Sequence, residues 1–168
     1  LGLAHYLEHM QFINTQKYPE VDGFFKFASN NGGFTNAFTD EDFTCYFFEV
    51  KPSSLAEALN RFSQFFTHPL LDPQFSEKEK NAVHAEYNKN IQQDIWRKIS
   101  ILKGFFQNGH PAQKFNIGNK DTLKSVNPED SRLFMENHYS ANLMNLVVVG
   151  PQSVDELYQW VASFKEIK

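Results

Sequence analysis

Gly2-Leu3-Ala4-His5-Tyr6-Leu7-Glu8-His9-Met10 is the stretch on which the reading of this chain turns. His5 and His9 stand four apart, and Glu8 immediately precedes the second histidine. On a helix advancing about 100° per residue, the three fall within an arc of roughly 100°. Two imidazoles one turn apart can point at one metal ion, and the carboxylate beside them can reach a water on it. Zinc takes nitrogen, sulfur or oxygen ligands in tetrahedral array and needs an open fourth position to catalyse. A motif this short also arises by chance, the plain alternative being a histidine-bearing amphipathic helix with Glu8 in solvent. The rest of the chain has to supply a third ligand.

The bulk properties set the frame. A length of 168 residues suits one domain with a sizeable core. Eighteen Phe make that core strongly aromatic. A formal charge of −4 gives no reason to expect nucleic acid or an anionic membrane as partner. No apolar run reaches the length of a membrane span. Cys45 stands alone, so no intrachain disulfide forms. The first residue is Leu1, and the motif helix follows at once without a capping residue. The expectation is a piece of a longer protein, soluble, with its compartment open between cytoplasm and periplasm.

Outward from the motif, the spacing predicts a helix over 3–12 with Leu3, Leu7 and Met10 as its apolar stripe. A second helix over 20–30 follows Pro19 and ends at Gly32-Gly33. Two strands follow, 34–39 and 43–50, joined through Asp40-Glu41-Asp42. In the first, Phe34, Asn36 and Phe38 alternate with Thr35, Ala37 and Thr39, one face packed and one open. The second is aromatic on both sides and reads as a central strand covered on both faces. Ser54 with Glu57 and Ser76 with Glu79 read as capping boxes. The second of these opens a long helix over 77–102, with Val83, Ile91, Ile95 and Leu102 among its apolar positions. Residues 104–120 read as loop, Asn127-Pro128 starts a helix to about 137, and 143–149 reads as a buried strand. Ser153 with Glu156 makes a third capping box, opening a helix to about 165.

The predicted long helix offers Glu79 and Glu86, seven apart and so within about 20° of one face. Glu86, flanked by Val83, Ala85 and Tyr87, is a mid-helix carboxylate that wants a partner. With His5 and His9 it completes a His/His/Glu site with one open position. Glu79 divides between the capping box and a role outside the ligands, orienting a histidine. His84, two residues from Glu86, points about 200° away and reads as a surface residue.

Taken together, these residues resemble the pitrilysin/insulysin zinc metallopeptidases, the inverted zincins with H-x-x-E-H order. Residues 2–10 carry the resemblance with Lys17-Tyr18-Pro19, Gly32-Gly33 before Asn36-Ala37-Phe38-Thr39, and Asn81-Ala82-Val83 before Glu86. His110-Pro111, Lys114-Phe115, Gly118-Asn119 and Ser140-Ala141-Asn142-Leu143-Met144 extend it along nearly the whole chain. Asn14 and His138 depart from the family pattern, where Gly and Tyr are common.

The resemblance implies an α+β fold: a two-layer sandwich of mostly antiparallel sheet and helices, like mitochondrial processing peptidase, here without its opening strand. It implies that 1–168 is a single, incomplete N-terminal catalytic domain. It implies one Zn2+ per chain held by His5, His9 and Glu86, with Glu8 as catalytic base and Glu79 supporting the metal-site helix. Asn36 and Ala37 match the edge strand that holds substrate backbone, so peptide is the expected substrate. The expected partner is the remainder of a longer protein, whose second half closes a chamber. The expected activity is metalloendopeptidase. The alternative is a catalytically silent peptide-binding or structural member of the same family.

Overall fold

The computed structural model describes residues 1–168. Its helices are α1 (Leu3–Ile13), α2 (Gly23–Asn30), α3 (Leu55–Thr67), α4 (Ser76–Asn90), α5 (Asp94–Lys103), α6 (Lys120–Leu123), α7 (Pro128–His138) and α8 (Val154–Trp160). Its strands are β1 (Phe34–Thr39) and β2 (Thr44–Glu49). The strands pair antiparallel from Phe34↔Glu49 to Thr39↔Thr44. The acidic turn between them closes with the Asp40 N–H donating to the Phe43 carbonyl at 2.9 Å. The fold is α+β, helices packed on one face of a small antiparallel sheet.

α1 is the hub. Eight of its eleven residues are buried. Tyr6, Leu7, Met10 and Ile13 join Leu71, Val83, Ile117 and Leu123 in one core cluster. Phe12 turns the other way, into an aromatic cluster with Phe24, Phe62, Phe65 and Phe66. Rings there meet mostly edge-on or tilted, as aromatic quadrupoles prefer. A buried polar group crosses between the clusters. Gln11 Nε2 donates to the Phe65 carbonyl at 2.8 Å, and Tyr46 donates its hydroxyl to Gln11 Oε1. Burial pushes the Tyr46 phenol well up, so it stays a neutral donor.

Several sequence expectations change. The long helix is two helices, broken after Asn90, with Gln93 in extended conformation before α5. Arg97 Nε donates to the Ile91 carbonyl at 3.1 Å, satisfying an acceptor at the break. The apolar period runs on through the break, which is why it misleads. Ile91, Ile95 and Leu102 are exposed, not core. Ser54 and Ser76 make no side-chain cap: Ser54 Oγ donates to Asn31 Oδ1, and Ser76 Oγ accepts the Tyr6 hydroxyl at 2.8 Å. Asn127 and Ser153 do cap their helices, each in a reciprocal box. β2 is not a doubly covered central strand. Tyr46 and Phe48 pack on the helices, whereas Phe47 sits with Phe34 and Phe38 on the open face. The sheet has only these two strands. Residues 144–149 form no strand ladder, and Val147 and Val149 are exposed. An apolar groove of about 970 Å³, lined by Tyr46, Phe48, Phe66, Met144 and Phe164 among others, is bordered by β2 and that segment.

Candidate metal centre

The packed face of β1 is Thr35, Ala37 and Thr39, against α1. α1 is thereby wedged between the hairpin and α4, with His5, Glu8 and His9 facing the seam. The side chains converge. His5 Nε2 lies 3.4 Å from Glu86 Oε2, and His9 Nε2 lies 3.7 Å from the same oxygen. The imidazole centroids are 4.7 Å apart with planes at 87°. One ligand atom from each of His5, His9 and Glu86 lies within 4.8 Å of the others. Metal–ligand bonds near 2.0–2.1 Å in a tetrahedron put neighbouring ligand atoms about 3.3 Å apart; the two His–Glu separations are close to that, and the donor types are those zinc takes.

The outward ring nitrogens are held as well. His5 Nδ1–H donates to the Ile117 carbonyl at 2.9 Å. A carbonyl only accepts, so Nδ1 carries a proton in this bond, and Nε2 is the nitrogen that faces the seam. His9 Nδ1 faces Glu79 Oε2 at 3.4 Å. Glu79 is thus beside His9 rather than in a capping box.

The electrostatics follow from this packing. Burial lowers the His9 pKa, but its hydrogen bonds to Glu79 and Glu86 and the charge of Glu8 outweigh that and hold it up to about 9. Hydrogen bonds from His5 and His9 hold Glu86 well below the usual carboxylate range. Burial pushes Glu8 up, while the Thr39 hydroxyl and the two histidines pull it down, leaving a net rise.

Thr39 is a contact the sequence reading missed. Its Oγ1 donates to Glu8 Oε2 at 2.5 Å and meets Thr44 Oγ1 at 3.2 Å. Its alternation with Thr35 and Ala37 was the available signal, had the small, polar side of β1 been taken as the packed one. The Ile117 carbonyl is backbone in a loop and gives no side-chain signal. Asn36 and Ala37 lie on β1, whose second edge is unpaired. Asn36 is exposed and Ala37 half-buried.

Against known families, residues 1–110 match the family model described as Insulinase (Peptidase family M16), and residues 125–168 match the Peptidase M16 inactive domain. The chain belongs to the insulinase family of peptidases. Among its insulinase-family relatives, insulin-degrading enzyme-like 2 of Arabidopsis thaliana is 42% identical over 163 residues, covering 92% of this chain and 17% of that protein. A Caenorhabditis elegans relative with zinc protease in its name is 42% identical over 171 residues, covering 98% of this chain and 20% of that protein. The crystal structure of pitrilysin superposes with a TM-score of 0.92 at 35% identity, over 99% of this chain and 18% of that one. The chain therefore spans 17% to 20% of the length of these insulinase-family proteins. No helix is long and apolar enough to cross a membrane.

Proposed function

We propose that this chain carries the metal-binding and base-bearing part of a zinc metalloendopeptidase. The observation that carries the reading is the convergence of His5, His9 and Glu86 beside a buried Glu8. His5 and His9 would hold Zn2+ through Nε2, and Glu86 through its carboxylate, one ion per chain. Bound there, zinc supplies Lewis acidity, acidifying water and polarising a carbonyl. Glu79 orients His9 through Nδ1.

Glu8 is the general base. Thr39 occupies its Oε2, which steadies the carboxylate, and burial raises its proton affinity towards the working range of a base. It takes a proton from the attacking water and passes it to the leaving amine. The unpaired edge of β1, at Asn36 and Ala37, adds an extended peptide as a further strand. Main-chain hydrogen bonds of that kind hold peptide with little sequence preference. The rest of a longer polypeptide, of which residues 1–168 form an incomplete N-terminal catalytic domain, closes the substrate chamber.

Glu8→Gln in the full-length protein tests the assignment. It is expected to keep zinc and fold while losing peptide cleavage by about 100-fold or more. Undiminished peptidase activity in that variant would sink the reading.

A further inference from the structure

Two glycines meet backbone to backbone where α1 begins. Gly2 and Gly118 both hold left-handed φ, 87° and 84°, a region that side-chain-bearing residues rarely adopt. A Cβ on Gly2 would lie 2.4 Å from the Gly118 Cα, and one on Gly118 would lie 2.8 Å from the Gly2 Cα. Neither position has room for a side chain.

The neighbours of Gly118 explain what the contact achieves. Just before it, the Ile117 carbonyl accepts the His5 Nδ1–H at 2.9 Å. The Ile117 side chain is buried in the same core cluster as Tyr6, Leu7 and Leu123. Just after it, Asn119 caps α6, its side chain accepting from the Asp121 and Thr122 N–H groups. The Asn119 N–H donates back to Thr122 Oγ1 at 2.9 Å. The carbonyl is thus anchored by a core side chain on one side and a capped turn on the other. The glycine pair sets how closely this unit approaches the first turn of α1.

We propose that the Gly2–Gly118 contact is a positioning clasp for the metal centre: it seats the Ile117 carbonyl on His5 Nδ1, fixing the ring's tautomer and plane with Nε2 turned to Glu86. Gly2 and Gly118 are positioning residues that act through His5 and touch no ligand themselves. The inference rests on His5 being a zinc ligand, as proposed above. Outer-sphere partners of a metal-bound imidazole govern affinity by about ten- to a hundredfold.

Chelator competition on the purified protein tests it. Gly118→Ala and Gly2→Ala are each expected to weaken zinc binding about ten- to a hundredfold. Both are expected to alter the visible spectrum of the Co2+-substituted protein. Leu59→Ala, in α3 and away from the clasp, is the control for plain destabilisation. It should lower thermal stability and leave zinc affinity and the Co2+ spectrum unchanged. Wild-type zinc affinity in both glycine variants overturns the clasp. Should neither variant fold, solvent exchange of the His5 Nδ1 proton in the zinc-loaded wild type decides by 15N NMR: a proton protected in a hydrogen bond to the Ile117 carbonyl upholds the clasp, and one exchanging freely overturns it. His5→Ala separates the two readings. Zinc binding unchanged by His5→Ala defeats the ligand set, whereas zinc lost there but kept in the glycine variants defeats the clasp alone.

Discussion

α1 and α5 are helices of nearly equal length with opposite fates. α1 has eleven residues, eight of them buried, and α5 has ten with none buried. Both carry apolar side chains at helical spacing. In α1 those side chains enter two cores, and the polar residues on the remaining face, His5 and Glu8, are buried as well. In α5 the apolar residues Ile95, Ile101 and Leu102 face outwards. The difference shows that apolar periodicity reports a helix but not its cover. It also shows why the candidate metal centre is on α1: ligand side chains need a backbone that neighbouring packing has already immobilised.

His9→Ala or Glu86→Ala should take zinc content from one equivalent towards none, measured by elemental analysis after dialysis. Full zinc in both variants would refute the ligand set. Leu7→Ala, which opens a cavity under the same helix, should cost about 2–5 kcal/mol in urea unfolding. A loss below about 1 kcal/mol would mean that α1 is far less tightly packed than its burial implies. Glu79→Gln leaves the fold intact and removes the carboxylate from His9 Nδ1. Its expected effect is zinc binding weaker by about ten- to a hundredfold, or about 1.4–2.7 kcal/mol.

Proton competition gives the next effect. In the metal-free protein His9 is held protonated up to about pH 9. Zinc must displace that proton, so apparent affinity should rise with pH by about tenfold per unit and flatten above His9's pKa. The same shift makes a stability statement. Its raised folded-state pKa stabilises the metal-free fold fully below histidine's ordinary 6.5, and this is lost as pH rises through about 9. A zinc affinity independent of pH between 7.5 and 9 would contradict the proton's presence. Smallest of all, Ile101→Ser in α5 should change stability by less than about 0.5 kcal/mol. A cost matching that of Leu7→Ala would mean that α5 is covered in the intact protein, and the contrast would fall.

Much of the candidate centre was legible because its residues obey helix geometry. His5, Glu8 and His9 share an arc on one helix, and Glu79 and Glu86 share a face on another. The structure brings the five side chains into one seam. What was illegible follows from forces that a one-dimensional pattern does not carry. Thr39 was hidden because β1 turns its small polar residues to the helices and its phenylalanines outward. Ser76 satisfied the capping pattern yet serves Tyr6, since a buried phenol needs a partner more than a solvated helix end does. The division between α4 and α5 left no mark on the apolar period, and the Ile117 carbonyl has no side chain to announce it.

The outer edge of β2 has a practical consequence. It presents unpaired amide and carbonyl groups beside an apolar groove, without the lysines, prolines or bulges that blunt such edges. A polypeptide of these 168 residues, prepared by itself, therefore offers every other copy a template for sheet extension. Intermolecular strand pairing at that edge is the expected route by which such a preparation associates. An extended apolar peptide supplied in excess should act as a stopper on that edge, keeping the preparation monodisperse.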